Sequence, residues 1–296
     1  MFRLSIITDE VSQDLEVALK FAKSFNLDGV EIRSVWGKAP QDLLEESSKI
    51  KRILKKYDLE VSAIASPLFK ADLKNHKEYL EHLEYLKRCI ELAKKLETNI
   101  IRGFTFWRNG SLEEFIDEIV EKFQKPLELV EAEGVILGIE NEPSTFVGNG
   151  KELNRFLDRV NSENVKAIWD PGNDIFDSSG EVPYPDGYSY VRGKIIHVHI
   201  KDGIRRGERG EPEFMPFGEG EVDYYGQLKA LKNDGYDGYL SLETHWRLRT
   251  LPKDLVVQPK GEEFSRFGEE SSRICMRNLQ KMLREMDIHH FRLQEE

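Results

Sequence analysis

Cysteine is nearly absent: Cys89 and Cys275 are the only two in 296 residues. They lie far apart, each in a helical pattern, which excludes a disulfide framework and a thiolate zinc cluster and leaves both as core fillers of a reduced compartment. Positive charge is also short. Lys and Arg total 43 against 54 Asp and Glu, a net charge of −11, and such a surface opposes the phosphate backbone that a nucleic-acid binder must neutralise. No stretch approaches the roughly 20 apolar residues of a membrane span, and the apolar run in M-F-R-L-S-I-I-T-D-E is too short for a signal peptide. A cytoplasmic protein with neither nucleic-acid nor membrane partners is expected. Missing too is a Gly-rich phosphate turn: I-T-D-E-V-S-Q, after the first apolar run, has none, which argues against a doubly wound dinucleotide fold.

What is present is an ordinary globular balance, 39% hydrophobic and 33% charged, in a chain long enough to bury a large core. Eight short runs read as strands: Leu4 to Thr8, Gly29 to Arg33, Val61 to Ser66 (stopped by Pro67), Asn99 to Phe104, Val135 to Glu140, Val165 to Asp170, Lys194 to Lys201 and Gly238 to Glu243. Helical patterns separate them. One is capped by Ser12 and carries Leu15, Leu19 and Ala22; others cover Gln41 to Tyr57, Leu73 to Leu96, Lys151 to Val160, Tyr224 to Asn233 and Glu269 to Met286. Ser111 with Glu114 forms a capping box for another, which Pro126 is expected to kink or divide. Strands alternating with helices imply parallel pairing through right-handed crossovers, and the count predicts an α/β protein, a (β/α)8 TIM barrel forming a single domain over residues 1–296. Two loops, Asp202 to Glu221 and Thr244 to Gly261, exceed ordinary connections.

The seventh strand, I-I-H-V-H-I-K-D at 195–202, puts His197, His199 and Lys201 on one face. A buried imidazole needs a hydrogen bond, a carboxylate or a metal. Four consecutive strands end in a candidate metal ligand: Glu140, Asp170, His199 and Glu243. They fall at the C-terminal strand ends, where barrels of this kind keep their chemistry. Three carboxylates crowded together repel one another unless a cation joins them, so one divalent metal ion is the expected cofactor. The mainly oxygen donor set favours Mn²⁺, with Mg²⁺, Co²⁺, Zn²⁺ and Fe²⁺ as alternatives. His197 should lie one side-chain layer deeper, as support or core.

These residues resemble the sugar isomerase and epimerase superfamily with the xylose-isomerase-like barrel, which includes ketose 3-epimerases, hydroxypyruvate isomerase, inosose dehydratase and the apurinic-site endonucleases. The resemblance rests on I-E-N-E-P at 139–143, W-D-P-G-N at 169–173, H-V-H-I-K-D at 197–202, P-F-G-E-G-E-V-D at 216–223 and L-E-T-H-W at 242–246. It implies that Glu140 and Glu243 bind the metal and shuttle a proton, that Asp170 and His199 complete the coordination, and that Arg205, six residues after His199, contacts substrate. One departure stands out. The epimerases carry His three residues after the aspartate, where this chain has Asn173, which can still hydrogen-bond a substrate hydroxyl.

The chemistry expected of such a site is proton transfer next to a carbonyl, through an enediolate, with Glu140 and Glu243 as base and acid. Return of the proton to the other face gives an epimer and return to the neighbouring carbon an isomer, whereas loss of a β-hydroxyl makes the protein a dehydratase of an inosose or keto-sugar. A metal-holding protein that binds sugar without turnover is the remaining alternative. A phosphodiesterase of the endonuclease type is disfavoured, because the ends of strands three and four offer Ser66 and Phe104 instead of further histidines. Among other polar residues, Lys201, His245 and Arg102 are candidate substrate contacts. Glu31 and Arg33 are read equally as an ion pair or as contacts. Phe104, Phe106, Trp107 and Trp246 are read as pocket wall, Trp107 also touching substrate. Arg205, Arg206 and Arg209 form either a solvated loop or a closure over an anionic substrate. His76, His82, His289 and His290 are expected at the surface. The partner implied is a small carbohydrate, with a homo-oligomer allowed.

Overall fold

The computed structural model describes residues 1–207, 210–248, 253–259 and 261–288, with His290 and Arg292. Each predicted apolar run forms a strand: β1 (Arg3–Ile6), β2 (Gly29–Ile32), β3 (Glu60–Leu68), β4 (Ile100–Gly103), β5 (Ile136–Glu140), β6 (Val165–Trp169), β7 (Ile195–Ile200) and, after a short antiparallel hairpin of β8 (Asp202–Ile204) and β9 (Glu213–Met215), β10 (Tyr239–Leu242). The main sheet runs β1-β10-β7-β6-β5-β4-β3-β2, its pairs all parallel, and a parallel bridge between Ile7 and Glu31 brings β2 back to β1. This is a (β/α)8 barrel in one domain.

Alternation along the strands sorts the side chains. Leu4, Ile6, Val30, Ile32, Leu137, Ile139, Val198, Ile200, Leu240 and Leu242 belong to the main buried core shared with the helices. Ala63, Ile100 and Ile168 form a separate cluster. Ile100 and Ile168 stand two residues before Arg102 and Asp170, so each shares a strand face with the polar residue beyond it. The barrel interior is thus aliphatic below and ionic above. Gly138 makes the packing possible, since a Cβ there would lie 2.6 Å from Cγ1 of Ile168.

Several local expectations need correction. Pro126 lies inside one continuous helix, Leu112–Glu133, which begins with the Ser111 and Glu114 capping box and does not divide. Buried Ile119, Phe123 and Val130 anchor it on both sides of the proline, which offsets the loss of one backbone hydrogen bond. The stretch from Gln41 opens as two 3₁₀ turns and becomes α-helical only at Ser47. Asp14, rather than Ser12, caps the first long helix, Leu15–Ser24, and Ser12 Oγ accepts from the backbone N–H of Asp14. Thr8, read as the last residue of the first strand, opens a buried helical turn, Thr8–Val11, that carries Asp9 and Glu10 inward. β3 continues past Pro67 to Leu68, with the missing N–H falling at a register irregularity against β4.

His82 and His290 are buried instead of at the surface. Nδ1 of His82 accepts from the backbone N–H of Phe69, 2.8 Å away, and burial pulls its pKa down to about 4. His76 is exposed as expected, whereas His289 and Arg209 lie outside the described residues. Both cysteines are buried, and burial pushes each thiol up to about 12, which keeps them protonated and inert as core fillers. Among the described residues no helix is long and apolar enough to cross a membrane.

Candidate metal centre and active site

The ends of β5, β6, β7 and β10 bring Glu140, Asp170, His199 and Glu243 together, one donor atom of each lying within 4.8 Å of the others, all four buried. Nδ1 of His199 is 3.4 Å from Glu140 Oε1, 3.7 Å from Glu243 Oε2 and 4.0 Å from Asp170 Oδ2. Among the described residues that nitrogen has no hydrogen-bond partner. The ring's other nitrogen, Nε2, faces Glu31 Oε1 at 3.2 Å, and Nε2 of His197 faces the second oxygen of Glu31 at 2.9 Å. Glu31 reaches them from β2 across the barrel. An ionised carboxylate that accepts from Nε2–H orients the ring so that Nδ1 is aimed at the three carboxylates and becomes the ligand atom when its own proton leaves; this is how metal-binding histidines are oriented. The donor set therefore fits a divalent cation, with Nδ1 of His199 as its imidazole ligand.

The two other acidic groupings, Glu31 with His197 and His199 and Glu10 with Glu243 and His245, are already neutralised within the chain. Both oxygens of Glu31 face imidazoles. Glu10 meets Arg33 at 2.7 Å, Arg247 at 2.9 Å and Nδ1 of His245 at 3.1 Å.

Neighbouring residues hold these four side chains in place. Asn141 takes the backbone N–H of Asp170 on its side-chain oxygen and donates to the Asp170 carbonyl, both at 2.9 Å, which ties β5 to β6. Asn173 donates to Glu140 Oε1 at 3.1 Å, while its own N–H is capped by Asp170 Oδ1 at 3.0 Å. Tyr224 accepts from the backbone N–H of Lys201 and donates to its carbonyl. That carbonyl would be 2.3 Å from a Cβ on Gly172, so the glycine of W-D-P-G-N is a steric requirement. Asp202 accepts from the backbone N–H groups of Gly203, Gly218 and Gly220 at 2.9–3.0 Å, which folds P-F-G-E-G onto the end of β7.

Cations surround the cluster. Lys201 Nζ is 2.7 Å from both Asp170 Oδ2 and Glu243 Oε2. Arg102 Nη1 pairs with Glu140 Oε2 at 3.0 Å and Arg33 Nη1 with Glu243 Oε1 at 2.6 Å. Burial raises the pKa of Glu140, but Arg102 and His199 outweigh it and hold the group at about 2. Glu243 is likewise held well below the carboxylate range, burial being overcome by Lys201, His245, His199 and Arg33. Asp170 goes the other way: burial pushes it up to about 7 against the pull of Lys201, with Glu243 and Glu140 adding to the rise. On His199 burial favours the neutral ring, yet Glu31 and Glu140 raise its pKa well above the usual value.

Two expected outcomes follow for the metal. A cation must displace the protons of Asp170 and His199, so as pH rises from 5 through 7 its affinity should increase by at least tenfold; calorimetric titration with Mn²⁺ at several pH values measures this. Glu31→Gln should weaken the same titration by 10–100-fold, the usual cost of losing the carboxylate behind a ligand histidine.

Of the proposed substrate contacts, Arg102, Lys201 and His245 line a recess of about 20 Å³ together with Glu140 and Glu243. His245 holds a left-handed backbone (φ 42°) and its N–H donates to Glu10 Oε2 at 3.1 Å. Asn173 is buried against Glu140 behind them. Arg205 sits on the hairpin, its guanidinium donating to the carbonyl of Glu181, and Trp107 is half-buried with its ring 6.0 Å from Lys70 Nζ; neither lines the recess. Phe104 does line it, whereas Phe106 stacks on Phe69 at 4.7 Å in the core and Trp246 packs on that core. Glu31 and Arg33 do not pair with each other: the first serves the histidines and the second bridges Asp9, Glu10 and Glu243.

Residues not foreseen as functional are Asp9, Glu10, Lys70, Glu142 and Arg247. Lys70 meets Glu142 at 2.9 Å and donates to the carbonyl of Val257 at 2.7 Å. Only I-T-D-E and I-E-N-E-P hinted at the acids; Lys70 and Arg247 stand in loops without periodic signal.

The fold and the placement of its ionic cluster define a parallel barrel with a polar site at the C-terminal mouth. The model of the Xylose isomerase-like TIM barrel family matches residues 19–263, and the chain belongs to that family. Among curated relatives, an inosose dehydratase of Clostridium perfringens is 25% identical over 252 residues, covering 73% of this chain and 78% of that protein. An uncharacterised protein of Methanocaldococcus jannaschii is 25% identical over 170 residues, covering 54% of this chain but only 56% of that protein's length. Among solved structures, the IOLI protein with a bound zinc atom aligns at a TM-score of 0.74 with 18% identity, covering 96% of this chain and 99% of that one. D-allulose 3-epimerase from Methylomonas sp., in complex with D-allulose, gives 0.72 with 17% identity, covering 96% of each chain. At these identities the structural likeness speaks for the fold.

Proposed function

We propose that this chain is a divalent-metal-dependent isomerase or epimerase of a small keto-sugar. The observation that carries the reading is Nδ1 of His199, without a hydrogen-bond partner among the described residues, oriented by Glu31 and facing Glu140, Asp170 and Glu243. Those four residues would hold the ion, which when bound supplies Lewis-acid polarisation of a substrate carbonyl and its neighbouring hydroxyl. Of the candidate ions Mn²⁺ suits the oxygen-rich donors, and the zinc of the IOLI neighbour keeps Zn²⁺ as the alternative.

The chain's own groups then move the proton. Arg102 occupies one oxygen of Glu140 and Arg33 one oxygen of Glu243, leaving the other oxygen of each turned to the centre. Both carboxylates stay ionised at neutral pH, the form that accepts a proton. One takes a proton from the carbon beside the carbonyl; the other, having first picked up a proton from solvent, delivers that proton to the opposite face or to the next carbon, and the first then releases its own to solvent. Lys201 and His245, on the recess wall, donate to substrate oxygens, and Arg205 joins them once it leaves the Glu181 carbonyl. The substrate is a small-molecule carbohydrate, and the setting is cytoplasmic.

A second reading, loss of water from an inosose or keto-sugar, is favoured by the inosose dehydratase relative and by Lys201, an ammonium beside Glu243 able to protonate a departing hydroxyl. NMR in heavy water, with Mn²⁺-loaded protein and a panel of ketoses, their phosphates, keto-acids and inosose, tests both. Deuterium beside the carbonyl of a product with unchanged composition supports the isomerase, and a product lighter by one water moves the assignment to the dehydratase. Binding without exchange across the panel would defeat both.

A further inference from the structure

Beside the recess lies a cavity of about 370 Å³, walled by the residues after β2, by β3 and β4 and by the segment 257–259. Arg33, Lys70, Arg102 and Pro259 line both spaces, so the two adjoin. The recess has room for little more than one water-sized group, whereas the cavity falls within the roughly 300–1,000 Å³ of small-molecule sites. We propose that the substrate is an uncharged keto-sugar bearing a ring-sized neutral substituent, with its reacting carbons at Glu140 and Glu243 and the substituent in this cavity. The proposal rests on the reaction read above and adds the substrate class to it.

Charge decides against a phosphate or carboxylate in that place. Arg33 is spent on Asp9, Glu10 and Glu243, and Arg102 on Glu140 and the carbonyls of Ala65 and Ser66. Lys70 is held by Glu142 and the Val257 carbonyl. An anion would have to break these buried pairs before gaining its own, a poor exchange where the desolvation of each group is already spent. The exposed carboxylate of Asp42 stands on the same wall and adds repulsion. His82, with its pKa down at about 4, adds no positive charge at neutral pH. Among the described residues Ala39, Pro40, Ala65 and Pro67 with the ring of Tyr85 supply most of the remaining wall, surfaces suited to the face of a second ring, and Ser34 and Gln258 add neutral polar groups.

The test is equilibrium binding, by calorimetry on the Mn²⁺-loaded protein, of three probes that bear no keto group: phenyl β-D-glucoside, D-glucose and D-glucose 6-phosphate, with NMR of the titrated samples checking that none has turned over. The glucoside should bind at least tenfold more tightly than either other probe. Ala39→Trp, which fills the cavity from a half-buried loop position, should bring the glucoside to within threefold of glucose. Ala39→Leu, expected to remove at least half of the glucoside's advantage, serves if the tryptophan variant does not fold. Tighter binding of the phosphate, glucoside binding no better than glucose, or glucoside binding unmoved by the folded variant would each overturn the proposal. Because the readout is binding, its failure leaves the proton-exchange result untouched, and absence of exchange leaves the binding order to be read on its own.

Discussion

Glu243→Gln is expected to remove turnover almost completely, with kcat lowered by roughly 10³-fold or more, within the range that general acid–base groups supply. Glutamine keeps the shape of the side chain, so the fold survives. What changes is charge. Glu243 Oε1 accepts from Arg33 at 2.6 Å and Oε2 from Lys201 at 2.7 Å, with Nδ1 of His199 3.7 Å away. An amide can neither accept the substrate proton nor neutralise these cations, and it is a poorer ligand for a hard divalent ion. Solvent-exchange NMR and Mn²⁺ titration on one preparation separate the two losses. A variant that still binds Mn²⁺ but does not exchange deuterium assigns Glu243 to proton transfer; a variant with turnover near wild type would remove it from the chemistry.

Arg33→Met should be the most destabilising single substitution at the site, costing about 3–5 kcal/mol, as expected when one partner of a buried ionic group is removed. Its guanidinium, 5% exposed, touches Asp9 at 2.9 Å, Glu10 at 2.7 Å and Glu243 at 2.6 Å. Without it those carboxylates face one another in the barrel mouth, with Arg247 and Lys201 as partial relief. The thermal midpoint should fall by roughly 6–20 °C. The loss should shrink as pH falls, because burial already raises the pKa of Asp9, against the pull of Arg33, and with Arg33 gone it protonates more readily still. Differential scanning calorimetry at pH 7 and pH 5 checks both statements. A midpoint within 2 °C of wild type at pH 7 would show that the three acids are compensated from elsewhere.

The barrel was legible in the sequence because its signals are local and repeated. Apolar runs such as V-I-L-G-I-E end in a polar residue where the strand leaves the sheet, and His197, His199 and Lys201 alternate with the aliphatic residues that face the helices. The gathering of Glu140, Asp170, His199 and Glu243 was legible for the same reason, since they occupy equivalent strand ends. What stayed hidden depends on pairing across the barrel. Glu31 on β2 reaches two histidines on β7, a meeting that no spacing within either strand announces. Arg33 and Arg247 meet through Glu10, which a helical turn carries inward just past the end of the strand that was read, and through the ring of Phe264, far along the chain. His82 was assigned to the surface because its helix is rich in charge, yet it packs on Phe69, which β3 and its loop deliver from elsewhere.

The most direct test of the account is anomalous diffraction from crystals grown with Mn²⁺. One strong anomalous peak should lie among the carboxylates of Glu140, Asp170 and Glu243 and within coordination distance of Nδ1 of His199, and it should be absent from crystals of His199→Ala. A peak beside Glu31 and His197, a peak at Glu10 and His245, or density without any bound ion at saturating Mn²⁺ would contradict the metal centre and the proton chemistry built upon it.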